Sequence, residues 1–231
     1  MICFDRHMLK QIIQNGVPSG FQNSVIAIAN VFVQSNINAF GKMAMAGCGS
    51  YAKIEGFAFL PVTCFTMALT TFVSQNLGAR QYERAKKGAR FGVICSVIIA
   101  ELIGIIIYAA APALIAAFNR DPSVIHYGVM QARIIALFYC LLAFSHCIAA
   151  VLRGSGHAAV PMIVMLCDWC LFRVSYITVA VRLISDIRVI FWAYPLTWSI
   201  SSVIFLYLFL RGKWVYGFEK ENNSNIKLRR R

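Results

Sequence analysis

Six long apolar runs, separated by short polar stretches, follow one another along this chain of 231 residues. They lie at residues 18–40, 55–73, 91–118, 134–152, 158–184 and 189–210. A helix needs about 20 mostly apolar residues to cross the hydrocarbon core of a bilayer. The alternation of apolar and polar residues that is typical of membrane-spanning strands is not seen in these runs. The pattern therefore predicts an all-α polytopic membrane protein with six transmembrane helices.

The composition agrees with lipid as the solvent of most of the chain. Hydrophobic residues make up 59% of the sequence and charged residues only 13%, and the mean hydropathy is +0.68. A soluble domain of this size needs a larger share of polar side chains for its surface. The net charge of +13 would indicate a nucleic-acid partner in a soluble protein, but the positions of the charges explain it otherwise.

The basic residues lie mainly on one side of the predicted helices. Fifteen of them fall at the ends or in the connections of that side: Arg6, Lys10, Arg80, Arg84, Lys86, Lys87, Arg90, Arg153, Arg211, Lys213, Lys220, Lys227, Arg229, Arg230 and Arg231. Four fall on the other side: Lys42, Arg120, Arg182 and Arg188. Cytoplasmic loops retain Lys and Arg. We therefore predict a cell-membrane protein with both termini in the cytoplasm, a basic cytoplasmic tail at 213–231 and no nucleic-acid partner.

Two glycine-containing stretches indicate where helices stop. Gly78 follows the second apolar run, and we expect it to adopt the left-handed conformation that closes many helices. The stretch RGSGH at residues 153–157 is interpreted as a helix stop followed by a turn.

The sequence lacks the motifs that would indicate an enzyme. It contains no HExxH, no GxSxG and no phosphate-cradling glycine loop. Cys167 and Cys170 form a CxxC pair inside an apolar run, without a second pair, and we interpret them as small apolar side chains. We therefore expect a protein without enzymatic activity and without a resident cofactor or metal.

Three stretches carry a resemblance to a known family: GVPSGFQ at 16–22, FVSQNLGARQYERAKKGAR at 72–90 and AAVLRGSGHAAVP at 149–161. In order and spacing they resemble the second lobe of the multidrug and toxic compound extrusion (MATE) family, over residues 8–212. Such transporters have twelve helices in two six-helix lobes and exchange Na+ or H+ for cationic, amphiphilic drugs. The resemblance implies that residues 1–212 form one such lobe, with small amphiphilic substrates and Na+ or H+ as the coupling ion.

Only one lobe is expected from this chain, although alternating access in the family needs two lobes around a central cavity. The partner would be a second six-helix lobe or another copy of the chain. Three origins stay open: a truncated reading frame, a split gene product and a half-transporter that dimerises. The functional alternatives are a lipid-linked sugar flippase of the same wider superfamily and a fragment that does not transport.

Polar side chains recur along the first apolar run. Gln22, Asn30 and Gln34 follow one another at intervals of eight and four residues, which places them near one face of a helix. Polar groups are costly in lipid, so this face should line a wet substrate cavity or contact another helix.

Three carboxylates are candidates for cation coupling: Glu55, Glu101 and Asp168. A carboxylate can ionise, bind Na+ or H+ and release it when its surroundings change. Two positions that carry a carboxylate in some branches of the MATE family are here Ile26 and Leu142. Glu55 is the first choice because it lies in a polar-flanked part of the second helix, next in sequence to the polar face of the first helix.

Structural pairing is the alternative for Glu55, whereas Glu101 must face the interior of the bundle or be protonated. Glu55 would then pair with Arg133 or Arg173 and stabilise the bundle. Asp168 and Arg173 lie five residues apart, about 140° around an α-helix. Each of the two is therefore expected to need a partner on another helix.

Overall fold

The computed structural model describes residues 6–211 and 213–216. Within these ranges the helices are α1 (Arg6–Asn38), α2 (Lys42–Gly78), α3 (Tyr82–Ala116), α4 (Pro122–Ile135), α5 (Tyr139–Gly154), α6 (Ala159–Met165), α7 (Arg173–Leu183) and α8 (Arg188–Leu210). Two short 3-10 turns lie at Ala136–Phe138 and Lys213–Tyr216, and a π-helical segment lies at Leu166–Phe172. The part of the predicted tail beyond residue 216 lies outside the described residues.

These elements form six long helical segments within the described ranges. The turn at Ala136–Phe138 joins α4 to α5 into one segment, and the π-helical segment joins α6 to α7 into another. By length and composition, five segments can cross a membrane: Lys42–Gly78, Tyr82–Ala116, Pro122–Gly154, Ala159–Leu183 and Arg188–Leu210. Together with α1, which has 33 residues, they confirm the predicted all-α polytopic membrane fold.

The outer surface of the bundle is apolar. Phe57, Phe91, Leu183 and Leu210 are among the large hydrophobic side chains that are exposed. Soluble proteins rarely expose contiguous apolar surface on this scale. Lipid is therefore the medium that this surface fits.

Several helices are longer than the apolar runs that predicted them. Helix α2 begins at Lys42, although the second run begins at residue 55, and it includes Lys53, whose ammonium lies 5.3 Å from the centre of the Phe118 ring. This cation–π contact accommodates a charge that interrupts the apolar pattern. Helix α3 continues to Ala116 through Pro112, so this proline does not end the helix.

Close approach of backbones holds α2 against α4. A Cβ atom added to Gly47 would lie 2.6 Å from the carbonyl oxygen of Val124 and 2.9 Å from the backbone nitrogen of Gly128. Gly128 in turn leaves no room for a side chain, because its Cβ would lie 3.0 Å from the Gly47 carbonyl oxygen. Small residues at such crossings allow the van der Waals contact that drives helix association in lipid.

The end of α2 differs from the prediction. The left-handed residue is Arg80, with φ of 57°, and not Gly78, which is still helical. The backbone N–H of Arg80 donates to the Leu77 carbonyl, and that of Gln81 donates to the Asn76 carbonyl. These two bonds form a Schellman motif, which places the left-handed residue two positions beyond the last helical one. The prediction was based on residue type and named the glycine, whereas the hydrogen bonds of the motif place Arg80 in the left-handed position.

The end of α5 has the same motif with a glycine in the left-handed position. Gly156 has φ of 83° and donates its N–H to the Arg153 carbonyl, and His157 donates to the Leu152 carbonyl. The interpretation of RGSGH as a helix stop and turn is confirmed.

Candidate functional site

A buried arginine lies at the centre of the polar groups inside the bundle. Arg173, the first residue of α7, is only 1% exposed. Its Nη2 donates a hydrogen bond of 2.8 Å to the Thr197 hydroxyl on α8. The guanidinium also lies 4.7 Å from the ring centre of Trp169 and 4.6 Å from that of Tyr194. Aromatic faces attract a desolvated cation, and the charge of Arg173 is thus held without contact to solvent.

Asp168 lies beside this arginine on the π-helical segment and is 3% exposed. The Ser201 hydroxyl on α8 donates a hydrogen bond to Oδ2 of Asp168, and Trp169 Nε1 donates to Ser201 Oγ over 3.3 Å. Among the described residues, Oδ1 of Asp168 and Nε of Arg173 are buried without a hydrogen-bond partner. The Asp168 carboxylate can therefore accept, and the Arg173 guanidinium can donate, one further hydrogen bond within the site.

The π-helical segment corrects one sequence-based expectation. Residues five apart lie about 140° apart on an α-helix, but here the backbone N–H of Arg173 donates to the Asp168 carbonyl, which is the i to i+5 bond of a π-helix and places the two residues one turn apart. Asp168 and Arg173 both contact α8, at Ser201 and Thr197. The prediction that each has a partner on another helix is confirmed, while the predicted separation around the helix is wrong.

Glu55 is the third charged group of the site and is partly buried on α2. Glu55 lines a cavity of about 10 Å³, and Tyr139 is the other polar residue among the described residues of its lining. The hydroxyl groups of Tyr139 and Tyr51 share a hydrogen bond of 2.8 Å. A volume of this size is close to that needed by one water molecule. The cavity is therefore large enough for a small ion or a proton carrier and too small for a drug.

Arg173 links the two carboxylates electrostatically. Its positive charge acts on both Glu55 and Asp168. In the described part of the chain, the close ion pairs are Lys86 with Glu83 and Arg188 with Asp186, both outside this site. Of the two partners considered for Glu55, Arg133 is engaged elsewhere, over the Tyr108 ring at 5.8 Å. We call Glu55, Asp168 and Arg173 the charged cluster.

Glu101 lies apart from the charged cluster. Its Oε2 accepts a hydrogen bond of 3.2 Å from the backbone N–H of Cys140, near the start of α5. The N–H groups at the start of a helix lack partners within that helix. The contact gives Glu101 a capping role, and its role in cation coupling stays a prediction.

The three polar residues predicted on α1 differ in burial. Gln22 is 4% exposed, and its Nε2 lies 2.7 Å from the sulfur of Met165. Asn30 and Gln34 are exposed, and Gln34 donates to the Asn38 side chain over 2.9 Å. Gln22 thus contacts the residue that precedes the π-helical segment, whereas the other two face away from the described bundle. Cavity lining by these residues stays a prediction.

The polar partners on α8 were missed by the sequence analysis. Thr197 and Ser201 are spaced four residues apart, so both lie on one face of the helix. Two hydroxyl residues at this spacing inside an apolar run are the signal that could have found them. The π-helical segment, Leu166–Phe172, has no comparable signal beyond an aspartate in an apolar run.

The fold and the charged cluster define a polytopic membrane protein with ionisable groups in its interior, an arrangement typical of membrane transporters. The MatE family model matches residues 18–179, well over half of the chain. The chain therefore belongs to the MATE family, whose members are transporters and not enzymes.

Two curated relatives illustrate the range of the family. The probable multidrug resistance protein NorM of Thermotoga maritima is 28% identical over 210 residues, which cover 89% of this chain and 44% of NorM. A protein of Shewanella oneidensis named FAD transporter is 22% identical over 191 residues, or 83% of this chain and 42% of that protein. The chain spans less than half the length of these relatives.

Solved structures agree with the fold. A MATE crystal structure in complex with MaL6 matches with a TM-score of 0.85 and 19% identity, over 93% of this chain and 49% of that one. A transporter of the MOP superfamily from Pyrococcus furiosus matches with a TM-score of 0.82 and 19% identity, over 88% and 45%. The binding pocket of that Pyrococcus transporter is described as reversed in polarity, which suggests a different function for it.

Proposed function

We propose that this chain is one lobe of a cation-coupled antiporter that exports cationic, amphiphilic drugs from the cell. Its relatives include probable multidrug resistance proteins of about twice its length. The working transporter would then contain a second six-helix lobe, either a separate protein or another copy of this chain. The charge asymmetry of the connections supports a location in the cell membrane with both termini in the cytoplasm.

Glu55 is the residue to which we assign the coupling ion. The observation that carries this assignment is the position of its carboxylate beside a cavity of about 10 Å³ in the interior of the lobe. One arginine, Arg173, acts on two carboxylates, Glu55 and Asp168. With all three ionised, the cluster has one uncompensated negative charge in a medium where charge is costly. One Na+ or one H+ would neutralise it.

The contact between Gln22 and Met165 supports a connection between ion binding and substrate binding. Gln22 belongs to α1, whose exposed polar residues Asn30 and Gln34 are the candidates for contact with substrate. Met165 directly precedes the segment that carries Asp168. A change of charge in the cluster that shifts this segment would therefore reach α1. Coupling between two sites requires two such states of the protein, one with the ion bound and one without it.

The test is transport by cells that express this chain alone and together with a candidate first lobe. We expect export of a fluorescent cationic dye, driven by a Na+ or H+ gradient, only in the second case. Flavin adenine dinucleotide belongs in the substrate panel because one relative is named for it. Export of the flavin in place of the dye would refute the assigned substrate class.

The variant Glu55→Gln tests the coupling residue. The amide keeps the shape of the side chain but cannot ionise, so gradient-driven export should be lost while dye binding is kept. Glu83→Gln is the matched control, since Glu83 lies outside the cluster and pairs with Lys86. Gradient-driven export at the normal rate by the Glu55 variant would remove Glu55 from the mechanism.

A further inference from the structure

A groove opens on the surface where α3, α4 and α8 meet, and its described lining includes none of the three residues of the charged cluster. Its volume is about 770 Å³. Much of the lining is apolar: it includes Ile125, Val129 and Met130 of α4, which we call the floor, and Trp192 of α8. The first residues of α4 and α8, Pro122 and Arg188, both line the groove.

The ionisable side chains that line the groove are all of basic residue types. They are Arg133, Arg188 and His126, and the described residues of the wall include no carboxylate. Arg188 has a carboxylate neighbour outside the wall, Asp186, at 3.8 Å, but the side chains of this pair are 61% and 47% exposed. Pairs of this kind contribute little because water screens them. The groove therefore combines an apolar floor with a net positive charge.

The two arginines occupy different positions along their helices. Arg188 is the first residue of α8, whereas Arg133 lies eleven residues beyond Pro122, roughly 16 Å along α4. The Arg133 guanidinium lies 5.8 Å from the centre of the Tyr108 ring and has no close carboxylate partner among the described residues, so an anion in the groove would stabilise it. Trp192 follows Arg188 by one helical turn, and tryptophan is the side chain that prefers the level of the headgroups.

We propose that this groove binds one anionic phospholipid, with the phosphate between Arg133 and Arg188 and the acyl chains along the floor formed by Ile125, Val129 and Met130. The proposal is independent of drug export and of Glu55. A cationic drug does not fit, because it would meet like charge on every ionised group of the wall. A zwitterionic lipid satisfies the floor but leaves the excess positive charge uncompensated. Charge complementarity therefore selects a lipid with net negative charge.

The experiment uses the full chain, purified in a neutral detergent, with Trp192 as the reporter. Dibrominated phosphatidylglycerol and dibrominated phosphatidylcholine are added in parallel titrations, because bromine quenches tryptophan fluorescence at short range. We expect half-maximal quenching at about a tenfold lower concentration of the anionic lipid, since each arginine near an anionic headgroup contributes to binding. Trp192→Phe should remove the saturable component. Equal quenching by both lipids would overturn the proposal and leave a generic apolar surface.

A pair of double variants separates the groove from general electrostatic attraction. The double variant Arg133→Gln/Arg188→Gln should abolish the preference for the anionic lipid. The control is the double variant Arg84→Gln/Arg90→Gln, which loses the same charge from exposed residues of α3 and should keep the preference. An equal loss of preference in both double variants would refute the site. Addition of inorganic phosphate should leave the quenching unchanged, and competition by phosphate alone would show an anion site without a lipid. The comparison of the two lipids on the unaltered chain decides the question even if a variant does not fold.

Discussion

Asp168 and Arg173, five residues apart in sequence, contact the same face of α8, at Ser201 and Thr197. The π-helical segment between them makes this possible, because its hydrogen bonds span five residues. The two charges are thus held one turn apart against a single helix. A rare local helix geometry therefore determines the layout of the charged cluster.

Removal of the arginine charge should destabilise the protein strongly. Arg173→Ala removes the hydrogen bond to Thr197 and leaves Asp168 buried without its neighbouring cation. Loss of a hydrogen bond to a charged group costs about 1.5–3 kcal/mol. Thermal unfolding in detergent should show a clearly lower midpoint.

The matched control for this change is Arg188→Ala, whose side chain is largely exposed. Surface charges of this kind contribute about 0–1 kcal/mol. Arg173→Lys should fall between the two, because lysine keeps the charge but cannot form the planar contacts with Trp169 and Tyr194. Equal midpoints for the two alanine variants would contradict the role of Arg173.

The crossing of α2 and α4 should not tolerate a side chain at Gly47. Gly47→Ala places a methyl group within 2.6 Å of the Val124 carbonyl oxygen. Overpacking of this kind typically costs about 1–3 kcal/mol. Gly49→Ala is the matched control on the same helix, because its Cβ would have no described neighbour within 4 Å. The yield of monodisperse protein in detergent should fall for the first variant only, and a similar yield for both would argue against the close crossing.

The two Schellman motifs predict opposite effects on stability when a glycine is introduced at one and removed at the other. Arg80 occupies the left-handed position without being a glycine, so Arg80→Gly should relieve strain and stabilise the protein by about 0.5–1 kcal/mol. Gly156→Ala should destabilise it by about 1 kcal/mol, because alanine must adopt the same conformation. Unfolding midpoints in detergent measure both effects. If the two variants shifted the midpoint in the same direction, the backbone assignment would be incorrect at one of the sites.

The charge asymmetry predicts the orientation of the chain in the cell membrane. In a cysteine-free variant, a single cysteine at Lys87 should be protected from an impermeant thiol reagent in intact cells, and one at Arg120 should react. Both positions are exposed, near opposite ends of α3. Labelling at position 87 without labelling at position 120 would reverse the predicted topology.

The sequence by itself determined the class of the protein and the number of its long helical segments. An apolar run of about 20 residues has the length that a helix needs to cross the hydrocarbon core of a bilayer. This length can be read from neighbouring residues in the sequence, without the folded structure. The helix stop at RGSGH was also predictable, since a glycine occupies the position where its conformation is needed. The length of α2 and the Pro122–Gly154 segment were underestimated, because Lys53 and Arg133 interrupt the apolar pattern.

Only the tertiary structure decided which polar groups meet. Glu55, Asp168 and Arg173 were all candidates from the sequence, but their assembly depends on a π-helical segment and on hydroxyl groups of α8. The choice of Arg80 over Gly78 at the end of α2 likewise follows from hydrogen bonds that the glycine content of the sequence does not reveal. A side chain's type sets the chemistry that it can perform, whereas its partners depend on helix phase and packing, which are properties of the folded bundle.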